Sequence, residues 1–155
     1  MLIVFDLDFT LWNYGGTYFD HTIPPYSKIN GYVFDREMNE ISLYPEVPEI
    51  LEDILIKDIK LGIASKTNAR ERAVELLEMF NIYNYFSYIE MYPGNKTIHF
   101  HNLNQSSGIP FQKMLFFDDD HDNLLDVSTL GIDSVYVQEG INKLLVSKSL
   151  QEISF

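Results

Sequence analysis

The chain opens on a run of apolar residues, Leu2-Ile3-Val4-Phe5, that ends in two carboxylates separated by one leucine, Asp6-Leu7-Asp8, followed by Phe9-Thr10-Leu11. A short, unbroken apolar run closed by polar residues predicts a strand buried on both faces. Residues i and i+2 of an extended segment project to the same side, so Asp6 and Asp8 face one region of space wherever the strand persists through Leu7. Two carboxylates held that close repel each other and call for a cation or a shared proton.

From Trp12 to Tyr44 helical periodicity is weak, and Gly15-Gly16, Pro24-Pro25 and Gly31 interrupt regular elements. Residues 31–34 and 41–44 are β-prone runs around a polar connection, which predicts a hairpin and a flap over about residues 12–44. Val47, Ile50, Leu51, Ile54 and Leu55 recur at helical spacing behind a first turn containing Pro45, Glu46, Pro48 and Glu49. Leu61-Gly62-Ile63-Ala64 predicts a second buried strand ending at Ser65. Asn68 with Glu71 predicts a capping box for a helix whose apolar face is Ala73, Val74, Leu76, Leu77 and Phe80.

Further on, the pattern predicts a strand over 89–92, a helix over 96–105 stopped by Gly108 and Pro110, and a strand over 114–117 that runs into Asp118-Asp119-Asp120. A helix over 123–130, a strand over 134–137 and a final helix complete the series. Strands alternating with helices predict an α/β fold: a doubly wound, Rossmann-like parallel sheet with helices on both faces and no large cap domain. At 155 residues the expectation is one domain over 1–155, which at this size buries roughly two-thirds of its unfolded surface.

Ligands of such sheets sit at the carboxyl ends of the strands. That rule gathers Asp6 and Asp8, Ser65, Lys96 and the pair Asp118 and Asp119 at one place, although they are far apart in sequence. Carboxylates suit Mg²⁺, which keeps several waters and is held by one or two carboxylates plus phosphate oxygens. Ser65 and the helix start after it suit phosphate oxygens, and Lys96 neutralises the charge shared by phosphate and nucleophile. One carboxylate is then placed to attack phosphorus and the other to handle the leaving-group proton.

Charge narrows the partners. Twenty-three acidic against eleven basic residues give a formal charge of -12, which opposes binding to nucleic acid or to anionic membrane surfaces. A small anionic substrate stays compatible, because a bound dication reverses the field locally. The absence of cysteine removes disulfides, thiol nucleophiles and thiolate metal sites. With no signal-peptide pattern and no apolar stretch long enough for a bilayer, the expectation is a soluble, cytoplasmic chain of open oligomeric state.

Taken in order, Asp6-x-Asp8-x-Thr10, Ser65, Lys96 and Asp118-Asp119 resemble the motif set of the haloacid-dehalogenase-like phosphatase superfamily. With the flanks Phe5 to Trp12, Leu43 to Pro48, Ala64 to Thr67, Tyr92 to Lys96 and Phe116 to Asp119, the chain resembles the magnesium-dependent phosphatase-1 family over nearly its whole length. The resemblance implies a Mg²⁺-dependent phosphomonoester phosphatase. In it Asp6 is the nucleophile, forming an aspartyl-phosphate, and a metal ligand. Asp8 is the acid and then the base, with its backbone carbonyl on the metal. Ser65 and Lys96 bind phosphate; Thr10 braces the turn and is grouped with them. Asp119 is the second metal carboxylate, with Asp118 as alternative or in its support, and Asn123 stands where the superfamily often has an acid.

The implied substrates are phosphotyrosine-like compounds, sugar phosphates or protein-borne phosphate, whether small molecule or phosphoprotein. Competing readings are a phosphotransferase or mutase of the same superfamily, and a non-catalytic phosphate-binding or receiver-like module. Motif order disfavours the receiver, in which the acidic pair precedes a separate phosphoacceptor and the lysine comes last. His99 and His101 lack a third metal ligand at suitable spacing and read as surface or hydrogen-bonding residues. Trp12 reads as packing, Asp120 and Asp122 as solvated acids at a helix start, and His121 has no assigned role. The flap aromatics Tyr18, Phe19, Tyr26 and Tyr32 serve either a substrate mouth or packing.

Overall fold

The computed structural model describes residues 1–153. In chain order the strands and α-helices are β1 (Leu2–Phe5), β2 (Trp12–Asn13), β3 (Ser27–Ile29), β4 (Tyr32–Phe34), β5 (Glu40–Leu43), α1 (Val47–Ile56), β6 (Lys60–Ser65), α2 (Arg70–Met79), β7 (Tyr88–Met91), α3 (Lys96–Ser107), β8 (Met114–Asp118), α4 (His121–Ser128), β9 (Asp133–Tyr136) and α5 (Lys143–Glu152). Five of the strands form a parallel sheet in the order β7-β6-β1-β8-β9. The acidic strand end of β1 therefore lies in the middle of the sheet, flanked by the ends of β6 and β8.

All four residues of β1 are buried, as a central parallel strand requires. Alternate side chains serve different cores. Ile3 and Phe5 join Ile63, Phe117 and the apolar faces of α1, α2 and α5, whereas Leu2 and Val4 join Phe116 and the faces of α3 and α4. The expected helices on both faces follow from this alternation. Among the described residues no helix is long and apolar enough to cross a membrane.

The expected hairpin is present as β4 and β5, but it belongs to a larger four-stranded antiparallel sheet in the order β2-β5-β4-β3. Strands of two and three residues at its ends escaped the period-2 reading because they are shorter than the pattern needs. Asp35 organises the turn of the hairpin. Buried, it accepts hydrogen bonds from the backbone N–H groups of Ile23, Glu37 and Asn39, the Tyr14 hydroxyl and the Asn39 amide. Burial favours the protonated carboxyl, yet these donors outweigh it and hold Asp35 below the usual carboxylate range.

The helix starts were read unevenly. Asn95 caps α3 through the Thr97 N–H, and Gly108 ends it in the left-handed conformation at φ 69°. The expected capping box at Asn68 is not formed: α2 begins at Arg70 behind Ala69 with no side-chain cap. Thr67 instead accepts from the Ala69 N–H at 2.9 Å just ahead of the helix and reaches the flap by donating to Asp20 Oδ1 at 2.7 Å. The helix at 123–130 begins earlier, at His121, because Asp120 caps it by accepting from the N–H groups of Asp122 and Asn123.

The flap is clamped to the α/β body. Arg72 Nη1 donates to the carbonyls of Asp20 and Thr22, and Lys28 Nζ donates to the Met79 carbonyl at 2.7 Å. Replacing Asp35 by Ala strands several N–H donors and should lower unfolding free energy by about 2–3 kcal/mol, read from urea denaturation. Because the folded-state carboxyl titrates below its ordinary value, its stabilisation is complete above that ordinary value. It is lost as pH falls through the depressed one, so Asp35→Ala should lose less stability on acidification than the parent chain.

Candidate active site

Asp6 continues the ladder of β1 for one residue, its N–H donating to the Phe117 carbonyl at 3.0 Å. The chain then bends. The N–H groups of Thr10, Leu11 and Trp12 all converge on the Leu7 carbonyl, and Phe9 takes a left-handed φ of 59° to complete the turn. Asp6 and Asp8 are therefore brought to one cavity by a tight turn rather than by strand pleating. The cavity has a volume of about 270 Å³ and is lined by Asp6, Asp8, Ser65, Lys96 and Asp119, with Tyr18, Asp20, Lys66, Thr67, Asp120 and Asn123.

Lys96 opens α3 and is fully buried beneath the cavity floor. Its Nζ donates to Asp6 Oδ1 at 2.6 Å, Asp118 Oδ2 at 2.7 Å and the Ala64 carbonyl at 2.8 Å, and lies 5.0 Å from the Phe116 ring centre. An ammonium has three protons, and each has an acceptor. Burial alone pulls the lysine down, but the Asp6 and Asp118 carboxylates overcome it and hold Lys96 above its ordinary value.

One lysine does not balance the carboxylates around it. Burial pushes the Asp6 carboxyl up, to about 8, with Lys96 opposing the shift and Asp118 and Asp119 adding to it. Burial and the neighbouring Asp118 also raise Asp119, to about 6. Oxygens of Asp6, Asp118 and Asp119 lie within 4.8 Å of one another, and the buried Asn123 Oδ1 beside them has no hydrogen-bond partner. This acidic, oxygen-only donor set with an orphaned acceptor fits a hard dication such as Mg²⁺.

Within the acidic pair the two aspartates differ. Asp118 is fully buried and accepts from Lys96, the Asn123 amide at 3.0 Å and the Asp120 N–H at 2.9 Å. Asp119 is half-buried and lines the cavity. Ser65, 5% exposed, ends β6 in the cavity wall, its Oγ accepting from the Thr67 N–H at 3.3 Å. After β6 the cavity is lined by Ser65, Lys66 and Thr67 and not by the first turn of α2. Thr10 is placed elsewhere: it is fully buried outside the cavity, its hydroxyl has no partner, and its carbonyl accepts from the Ile141 N–H. Its location suits bracing the turn, and its grouping with the phosphate ligands is not sustained.

Other residues enter the site, among them Tyr18, one of the flap aromatics expected at a substrate mouth or in packing, and Asp20, which the sequence did not single out. Asp20 and Tyr18 reach the cavity from the flap, and Thr67 ties Asp20 to the turn after β6. Trp12, read as packing, is fully buried but also donates its indole N–H to Asp8 Oδ1 at 3.0 Å. His99 is buried rather than on the surface. Its Nε2 lies 2.8 Å from the Tyr92 carbonyl and 3.1 Å from that of Ser65, its Nδ1 lies 3.3 Å from the Asn95 carbonyl, and burial pulls its pKa down against these carbonyls. His101 is exposed against Phe111, and His121 stacks on Tyr136 at 4.0 Å.

Replacing Lys96 by Met removes the cation and leaves Asp6 and Asp118 facing each other in a buried space. Stability at neutral pH should fall by about 3–5 kcal/mol in urea unfolding, and part of the loss should return at a pH low enough to protonate the pair.

Residues 1–154 match the family model described as acid phosphatase. The chain is 43% identical over 151 residues to human "Magnesium-dependent phosphatase 1", covering 97% of this chain and 85% of the relative. It is 31% identical over 140 residues to a HAD-like hydrolase superfamily protein of Schizosaccharomyces pombe, covering 84% and 81%. Among solved structures, a predicted phosphoglycolate phosphatase from Haemophilus somnus superposes with a TM-score of 0.69 at 19% identity, covering 96% of this chain and 90% of that one, which is a likeness of fold. The chain belongs to the acid phosphatase family, within the magnesium-dependent phosphatase-1 group of the haloacid-dehalogenase-like superfamily.

Proposed function

We propose that this phosphatase is Mg²⁺-dependent and hydrolyses phosphomonoesters through an aspartyl-phosphate on Asp6, within one domain spanning residues 1–155. The observation that carries the reading is the pairing of unlike carboxylates on one cavity. Asp6 is fixed by Lys96 at 2.6 Å, and Asp8 has one oxygen held by N–H donors and the other without a hydrogen bond among the described residues.

Asp6 attacks phosphorus as the ester P–O bond breaks, and Asp8 gives its proton to the departing oxygen. Asp8, now a carboxylate, takes a proton from water as that water attacks phosphorus, the bond to Asp6 breaks and inorganic phosphate leaves. Ser65 holds phosphoryl oxygens, and Lys96 holds the nucleophile and reaches a phosphoryl oxygen only by giving up one of its three present acceptors. The carboxylates of Asp6 and Asp119 and the Asp8 backbone carbonyl would hold Mg²⁺, supported by Asp118 and Asn123. When bound, the ion offsets the charge of nucleophile and phosphoryl group, which would otherwise repel each other. Burial raises the Asp8 carboxyl to about 6 against the opposing hydrogen bonds from the Phe19 N–H and Trp12, which suits a group that both gives and takes a proton.

No large cap covers the cavity, and the flap walls one side only. Such access suits phosphotyrosine-like, sugar-phosphate or protein-borne phosphate. A lack of cysteine and a charge of -12 suit a cytoplasmic location and disfavour nucleic acid as partner.

Stripping divalent ions with a chelator should abolish release of phosphate from an aryl phosphate, and added Mg²⁺ should restore it; turnover that ignores chelation would contradict the metal assignment. Asp6→Asn should lower kcat by on the order of 10³-fold or more while the far-ultraviolet dichroism stays unchanged.

A further inference from the structure

We propose that Trp12 is a positioning residue that fixes which oxygen of Asp8 carries the proton. The inference rests on Asp8 serving as acid and base. Asp8 Oδ1 accepts two hydrogen bonds, from the Trp12 indole N–H at 3.0 Å and from the Phe19 N–H at 3.0 Å. Oδ2 receives none among the described residues, and Asp8 is part of the cavity wall. The two donors fill both lone-pair positions of Oδ1, and a proton there would displace one of them and weaken the other, so Oδ1 is kept as the acceptor and Oδ2 as the oxygen that exchanges protons.

The indole is held in place from several sides. Trp12 is fully buried, its ring meets that of Phe19 edge-on at 5.2 Å, and Phe80 lies 6.4 Å away. Its backbone closes the turn after Asp8, receiving the Phe9 N–H at 2.9 Å, and pairs with Leu43 of the flap sheet. The second donor comes from the flap segment that Arg72 and Thr67 clamp to the body. Trp12 and Phe19 thus form a rigid socket for one oxygen, and the fixed flap is part of it.

In the first half-reaction the Oδ2–H bond breaks and its proton moves to the leaving oxygen as the ester P–O bond breaks. In the second, a proton of the attacking water moves to Oδ2 as the bond between phosphorus and Asp6 breaks. A carboxyl free to rotate would present either oxygen and lose orientation at both steps. Proton delivery matters most when the leaving group is a poor one, so the loss should depend on the substrate.

Trp12 is the sole tryptophan, so replacement of tryptophan by benzothienylalanine alters this position alone and exchanges the N–H for sulfur at nearly constant shape. With Mg²⁺ saturating, kcat/KM, which reports formation of the aspartyl-phosphate and not its hydrolysis, should fall about tenfold for an alkyl phosphate and by less than about threefold for p-nitrophenyl phosphate. Trp12→Phe, checked by circular dichroism and thermal unfolding, should show the same inequality, and the isostere decides if it does not fold. A general loosening of the structure would lower both rates alike, so equal losses or no loss would overturn the role of Trp12. Asp8→Asn, assayed in parallel, separates the two ideas: it should show a larger inequality, and equal losses there would overturn the acid role of Asp8 itself.

Discussion

Lys96 sits at full burial with Asp6 on one side and Asp118 on the other, and the arrangement of the cavity depends on that triad. A buried ammonium is tolerated when each proton is accepted and its charge is answered, and here the Ala64 carbonyl takes the third proton. The residues come from different parts of the chain: the end of β1, the end of β8, the end of β6 and the first turn of α3. Satisfying one side chain therefore aligns the carboxyl ends of the central strands. The same geometry leaves excess negative charge at the floor, which a dication would answer.

The flap plays a different part from a mobile cover. It is pinned by Arg72, by the Asp20–Thr67 hydrogen bond and by Lys28, and it delivers Tyr18, Asp20 and the Phe19 N–H to the cavity. On the opposite flank, Gly140 keeps a left-handed φ of 74° and lies directly against the Tyr44 ring; a Cβ there would come within 2.2 Å of it. Tyr44 in turn lines a shallow groove with Phe9, Asp119 and Tyr136, and Asp119 also lines the cavity.

Local pattern revealed the framework of this fold because a central parallel strand must be apolar on both faces, as Leu2–Phe5 and the first four residues of β8, Met114 to Phe117, are. The carboxyl-end rule then gathered Asp6, Asp8, Ser65, Lys96 and Asp119 without any contact being known. Interactions between distant segments stayed hidden. Nothing local to Asn68 signals that Thr67 binds Asp20 across 47 positions and that the capping box is not formed. The role of Trp12 depended on Phe9 accepting a left-handed conformation, which an aromatic residue does not advertise. The resemblance implied Asp119 on the metal with Asp118 as alternative or in its support, and burial separates the one that clamps Lys96 from the one that faces the cavity.

The account stands on Asp6 as the atom that takes the phosphoryl group, with Lys96 and Asp8 arranged around it. Rapid acid quenching of the Mg²⁺-loaded enzyme during turnover, followed by peptide mass analysis, tests this most directly. One phosphoryl group should appear on the peptide containing Asp6, at Asp6 itself, and disappear as substrate is exhausted. A phosphoryl group on any other residue, or none under conditions where its hydrolysis limits turnover, would contradict it.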